Sequence, residues 1–192
     1  MNPARHFAIL AMLAAAGIAS GQTPAPDIGD GYLCCNMRTD GAWISDSNYA
    51  SSSKTIIPAG TPVGYGGMSG YAVAVDINGK RQSLGNDYSR DLKMEDFARR
   101  YIVKRDPRPK IAAAAPKVRK AISSMRITKG MTRDQVLMAM GYPISSYNPQ
   151  MDAPMWKYWL STRAPFTVVF NGQGQVVRVE TDADTLMSVY LQ

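Results

Sequence analysis

The side chains that run most hydrolytic chemistry are nearly missing from this sequence. Its 192 residues contain one histidine, His6, and two glutamates, Glu95 and Glu180. His6 lies in a segment read below as a removable leader. Without it the chain has no imidazole, which excludes Ser-His-Asp and Cys-His catalysis, histidine metal sites and histidine pH switches. Asp182 and Asp184 are the one tempting carboxylate pair. Alternation along a terminal strand would set both on one side, although a solvated tail is the simpler reading so close to the C-terminus. Lys, Asp or Tyr can act as a base, yet no nucleophile is spaced beside one, and phosphate-binding glycine loops are lacking. The expectation is a protein that is not an enzyme, with no cofactor and no metal.

Cys34 and Cys35 are adjacent. A bond between them is disfavoured, because neighbouring Cα atoms sit about 3.8 Å apart, below the usual disulfide range. On a strand their side chains would also leave opposite faces. Two readings remain: one buried thiol with one facing outward, or an intermolecular disulfide in an oxidising compartment. A zinc site would need further cysteines or histidines.

The first 22 residues, MNPARHFAILAMLAAAGIASGQ, give a positive start at Arg5, an apolar stretch from Phe7 to Ala16, and then small residues. That is the layout of a secretory signal peptide, with cleavage after Ala19 or after Gly21, so residues 1–21 are assigned to it. A lipid anchor would need a cysteine directly after the apolar stretch, where Ser20, Gly21 and Gln22 stand. The expected product is exported and not lipidated.

The formal net charge is +7, but it is uneven: Ser89 to Arg133 holds fourteen Lys and Arg against four acids. Such a segment can meet anionic lipid headgroups or an acidic protein, or present a solvated helix face with no dedicated partner. Export argues against nucleic acid.

The elements follow from periodicity. Residues 27–88 read as a β-rich unit: Tyr71, Val73, Val75 and Ile77 alternate with Ala72, Ala74 and Asp76, and Asn78-Gly79 supplies a tight hairpin turn. Trp43 and Ile44 fall in another short strand, and Ile57 to Val63 reads IPAGTPV, which weakly resembles the start of bacterial SH3-like domains. Residues 89–110 hold a basic helix, with Met94, Phe97, Ala98 and Tyr101 on one stripe, then a break at Asp106-Pro107-Arg108-Pro109. Residues 111–185 form the last unit. Pro116 opens a helix with Val118, Ala121, Ile122 and Met125 on its stripe, and Thr132 with Gln135 has the spacing of a capping box. Gly141 and Pro143 stop that second helix. Trp156 to Leu160, Phe166 to Phe170 and Val176 to Thr181 then alternate as a three-stranded meander.

The runs GMTRDQVLMAMGYP, WKYWL and FTVVFNGQGQVVRVE, in that order, resemble the BamE (SmpA/OmlA) domain family. The resemblance covers about Lys117 to Thr181, roughly a third of the chain, and rests on Gly130, Met131, Thr132, Gln135, Val136, Gly141, Pro143, Trp156, Tyr158, Phe170 and Gly174. It implies an α-α-β-β-β fold and a non-catalytic part in outer-membrane protein assembly. The fold class expected is thus α+β, a small SH3-like β-barrel followed by a BamE-like domain. The location implied is the periplasm, peripheral to the outer membrane. Unlike the short lipoproteins of that family, this chain has an added β-rich half and no lipid-bearing cysteine.

Those motif residues cap helices, permit turns or fill a core before they do anything else. Contact residues are sought among Tyr142, Tyr147, Asn148, Trp159 and Arg163, because Tyr, Trp and Arg dominate binding energetics. Trp159 lies between Tyr158 and Leu160 and points away from them; its alternatives are a partner surface or packing against the basic helix or the other unit. The expected partner is an envelope protein. The other reading is peptidoglycan, held by Trp43, Tyr49 and Tyr65 beside the glycines of Gly64 to Gly67.

Overall fold

The computed structural model describes residues 28–192. The leader reading, the cleavage positions and His6 lie outside the described residues. The architecture is α+β, with a curled N-terminal sheet and a C-terminal helix-and-meander unit.

The sheet is built from β1 (Gly31–Leu33), β2 (Met37–Thr39), β3 (Trp43–Ser45), β4 (Thr55–Ile57), β5 (Pro62–Ser69), β6 (Ala72–Ile77), β7 (Lys80–Gly85) and β8 (Ile102–Val103). Their order across it is β4-β2-β3-β7-β6-β5-β1-β8. All neighbours are antiparallel except β3 and β7. The β6–β7 turn places Asn78 and Gly79 at φ of 55° and 75°, the left-handed pair that matches the twist of a two-residue hairpin. Val73, Val75 and Ile77 point into the core and Tyr71 points out. α1 (Met94–Tyr101) lays Phe97, Ala98 and Tyr101 against the same core. The likeness of this half to SH3-like domains rests on the short Ile57–Val63 stretch alone.

After β8, Asp106 and its prolines lead into α2 (Arg108–Ala112), then α3 (Pro116–Ser123) and α4 (Arg133–Met140). A 3₁₀ turn (Ser145–Tyr147) precedes β9 (Met155–Ser161), β10 (Ala164–Phe170) and β11 (Val176–Glu180), which form a meander ordered β11-β10-β9. Trp156, Tyr158, Phe166, Val168 and Phe170 face the helices, where Ile122, Ile127, Met131 and Val136 complete a second core. Alternation produces this division: the inward residues are buried, while Met155 and Lys157 are exposed.

Two sequence expectations are corrected. Asp182 and Asp184 lie neither on a strand nor in a tail; they open α5 (Ala183–Val189). Asp182 is its N-cap, accepting from the Thr185 amide at 2.9 Å, which, with the Thr185 hydroxyl, holds its carboxyl below the usual range. Cys34 and Cys35 are joined to each other, and neither is a free thiol. They follow the end of β1 in a bend, so the opposite-face argument, which needs extended backbone, does not apply.

The two halves meet over a buried, hydrogen-bonded seam. The last carbonyls of a helix lack intrahelical partners, and at the ends of α3 and α4 the N-terminal half supplies them. The Asn36 amide donates to Met138 O at 2.9 Å, and Asn36 Nδ2 to Ile122 O at 2.6 Å and Ala139 O at 3.4 Å. Asn48 Nδ2 donates to Met140 O at 2.9 Å and to Asn36 O at 3.0 Å. The adjacent Gly141, at φ 80°, packs so closely that a Cβ would touch Asn48 and Met37 at 3.3 Å.

Candidate partner-binding surface

The positions expected to shape the C-terminal fold take up short-range tasks. Thr132 accepts from the Gln135 amide at 3.3 Å while Gln135 Oε1 accepts from the Thr132 amide at 2.9 Å, a reciprocal box. Met131 and Val136 are fully enclosed, and Pro143 is buried beyond the helix end. Gly130 and Gly174 sit at φ of 86° and 72°. A Cβ on Gly174 would also run into the Arg133 guanidinium. Trp156 meets Phe170 edge to face at 4.8 Å, and Tyr158 stacks on Phe166 at 5.4 Å. The Tyr158 hydroxyl donates to Gly141 O at 3.1 Å. Burial and neighbouring tyrosines push that phenol well above its ordinary pKa, so it stays a donor.

The five contact candidates separate into two sets. Asn148 is enclosed: its Nδ2 donates to Ile144 O and Lys157 O, both at 2.9 Å, and its Oδ1 accepts from the Lys157 amide at 2.7 Å. It thereby covers the outer edge of β9 and fixes the 3₁₀ turn against that strand. Tyr142 is half-buried in the seam, edge-on to Tyr101 at 5.7 Å with Arg100 at 5.2 Å from its ring. Tyr147, Trp159 and Arg163 reach the surface, with Arg163 in the β9–β10 turn. Tyr147 is 59% exposed and lies 4.6 Å from the Trp159 ring, and Lys157 Nζ stands 5.5 Å and 5.1 Å from the two rings. That is a cation over two aromatic faces.

The surface extends across the seam through two residues. Tyr49 and Tyr88 meet at 5.7 Å, and the Ala50 amide, next to Tyr49, donates at 2.8 Å to the carbonyl of Leu160, next to Trp159. Tyr88 had no sequence signal, since neither periodicity nor a motif marks it. Its position is set by Asp46, whose buried carboxylate accepts from the amides of Asp87 at 3.1 Å, Tyr88 at 3.2 Å and Ser89 at 2.8 Å. Burial raises the Asp46 pKa against the opposing pull of those hydrogen bonds. Ser89 Oγ in turn accepts from the Ser145 amide at 3.2 Å, and Ser145 Oγ donates to Asp91. One network therefore anchors the Tyr88 loop and the Tyr147 turn together.

The three aromatics expected to grip peptidoglycan have separate neighbours. Trp43 covers Gly85 and donates to Asp87 at 2.9 Å, Tyr49 meets Tyr88, and Tyr65 packs on the N-terminal core. Much of the basic segment is committed locally: Arg90 over Tyr71, Arg108 to Asp106, Arg119 to Ala114 O, and Arg133 to the carbonyls of Asp152 and Ala153. A cleft of about 260 Å³ beside Cys34, Leu137 and Tyr142 carries a Lys110–Asp134 pair at 3.5 Å on its rim. Among its lining residues no nucleophile stands beside a base. Among the described residues no group of three or more His, Cys, Asp or Glu is placed to hold a metal ion, and no helix is long and apolar enough to cross a membrane.

Comparison with curated proteins and with solved structures gave no match. Comparison with family models gave one match, within the C-terminal half. Residues 120–180, from within α3 to the last residue of β11, match the outer membrane protein assembly factor BamE domain, and the α4 helix inside that span is the one whose end is closed by loop residues Asn36 and Asn48 of the N-terminal half.

Proposed function

We propose that this protein is a non-catalytic interaction protein of the cell envelope, related to outer-membrane assembly factors, and that it works by contact with an envelope protein. The observation that carries this reading is the BamE match over residues 120–180. It is supported by the cluster of exposed Tyr147 and Lys157 with half-buried Trp159, which offers aromatic and cationic anchors of the kind that dominate binding energetics. On this reading residues 1–21 serve as an export leader and the protein works in the periplasm, peripheral to the outer membrane. The seam gives the added half its use: it closes the end of α4 and brings Tyr49 and Tyr88 to the same surface.

Photo-crosslinking in intact cells tests this. A photoreactive residue at Tyr147 or Trp159 is expected to capture an outer-membrane assembly component, and one at Gly172, in the exposed β10–β11 turn, is not. Equal capture from all three positions, or none from Tyr147 and Trp159, overturns the reading.

A further inference from the structure

The Cys34–Cys35 bond is poorly placed to brace the fold. A disulfide stabilises mainly by closing a loop and so restricting the unfolded chain, and a bond between neighbours encloses no intervening residue. Its two sulfurs also differ in access. Cys35 is fully enclosed in the N-terminal core, whereas Cys34 is half-buried and lines the cleft of about 260 Å³. Leu137 and Met138 of α4 form one wall of that cleft, and Val103 with the stretch from Arg105 to Pro107 forms the other. The charges of the lining do not cancel. Asp106 is paired with Arg108 at 2.7 Å and Asp134 with Lys110 at 3.5 Å, while Arg105 is exposed and forms no ion pair among the described residues.

We infer that Cys34–Cys35 is a thiol–disulfide exchange site, entered through this cleft by a small thiolate, and that its reduction loosens the seam. The incoming thiolate attacks Cys34 Sγ. Its bond to that sulfur forms as the Sγ–Sγ bond breaks, and the electron pair leaves on Cys35 Sγ, which takes a proton from water. A second thiolate attacks the sulfur of the attached thiol and releases a symmetrical disulfide, leaving Cys34 as a thiolate that is protonated in turn. Two small thiols are thus oxidised to one disulfide, and the protein disulfide is reduced to two thiols. Arg105 raises the local concentration of the anionic nucleophile. Once unbonded, the two sulfurs must move apart to non-bonded contact. Cys35 is enclosed in a close-packed core, so the shift falls on Cys34 and on the bend that leads into Asn36. Asn36 is the residue that donates to Met138 O, Ile122 O and Ala139 O, and its Oδ1 accepts from the Ala59 amide at 2.8 Å. The site requires only the folded chain and a thiol, and so stands or falls apart from the envelope reading.

The oxidised full chain is incubated with reduced glutathione in the absence of denaturant, quenched by alkylation and read by peptide mass spectrometry. Reduction is expected in the folded state, with alkylation at Cys34 at once and at Cys35 only after unfolding. Cys35→Ser, given oxidised glutathione, is expected to hold the adduct on Cys34, and Cys34→Ser to acquire none. Arg105→Gln, at an exposed position, is expected to slow reduction about threefold at low ionic strength and less as salt is added. Hydrogen exchange followed by NMR reads the seam. The Asn36 and Ala59 amides are expected to exchange roughly tenfold faster or more in the reduced chain, while the amides of β10 are unchanged. Should a serine variant fail to fold, the alkylation order and the amide exchange of the parent chain decide. Reduction only after unfolding, first alkylation at Cys35, an Arg105→Gln rate equal to the parent's, or seam amides that reduction leaves unchanged overturns the inference.

Discussion

Replacing Asn48 by alanine tests whether the two halves are held by the asparagine seam. Asn48 is 5% exposed and has φ of 53°, in the left-handed region that asparagine tolerates better than most residues. Its side chain serves three backbone groups: Met140 O at 2.9 Å, Asn36 O at 3.0 Å and the Arg38 amide at 2.8 Å. Alanine removes all three partners. Leaving a buried backbone group unpaired costs about 1–3 kcal/mol, and the lower figure applies where relaxation admits water, so these losses come to about 3 kcal/mol. Holding alanine in the left-handed region adds about 1 kcal/mol. A total of about 4 kcal/mol is a large share of the 5–15 kcal/mol that stabilises an ordinary domain. With a denaturant slope of about 2 kcal/mol per molar, the urea midpoint falls by about 2 M. Asn48→Gly separates the two contributions, since glycine adopts this backbone freely; it should recover about 1 kcal/mol relative to alanine. Urea titration of both variants, read by far-ultraviolet circular dichroism and tryptophan fluorescence, gives the answer. A midpoint for Asn48→Ala within about 0.5 M of the parent refutes the reasoning. Loss of the N-terminal signal with the Trp156 environment intact also refutes it, because the halves would then unfold separately.

Two more outcomes follow from the same hydrogen bonds. Thr132→Ala opens the capping box at α4 and should destabilise the protein by about 1 kcal/mol, measured by thermal or urea unfolding. The buried Asp46 carboxyl binds its proton more tightly in the folded than in the unfolded chain, because burial raises its pKa. Its contribution to stability is therefore full below the unfolded value near 4 and is lost as pH rises through the folded pKa. Asp46→Asn should remove that slope from the stability-against-pH curve, and should loosen the Tyr88 loop by setting an NH₂ against amides that need an acceptor. An unchanged slope between the two proteins counts against Asp46 as the titrating group.

Short-range physics was legible in the residues themselves. The Asn78-Gly79 hairpin, the Thr132–Gln135 box and the alternation of Trp156 and Tyr158 with Lys157 and Trp159 each depend on neighbours within a few positions. They need nothing beyond dihedral preference and period to be read. Phe97, Ala98 and Tyr101 were placed in a core by the same rule. Asp182 was misread because a single cap at the chain's end carries no repeating pattern, and α5 is only seven residues long.

What only the tertiary structure decided is the meeting of distant segments. Asn36 reaches Ile122 across 86 positions and Asn48 reaches Met140 across 92, and nothing in either neighbourhood marks a buried amide seeking another half's helix end. Asn148, a surface candidate by residue type, is drawn inward by the unpaired edge of β9. The pairing of Tyr49 with Tyr88 and of Tyr147 with Trp159 likewise follows from how four separate segments close on one another. Periodicity records which face of an element is buried, not which other element buries it. The contact surface of this protein is therefore a property of the closed chain, although every ring in it was visible from the start.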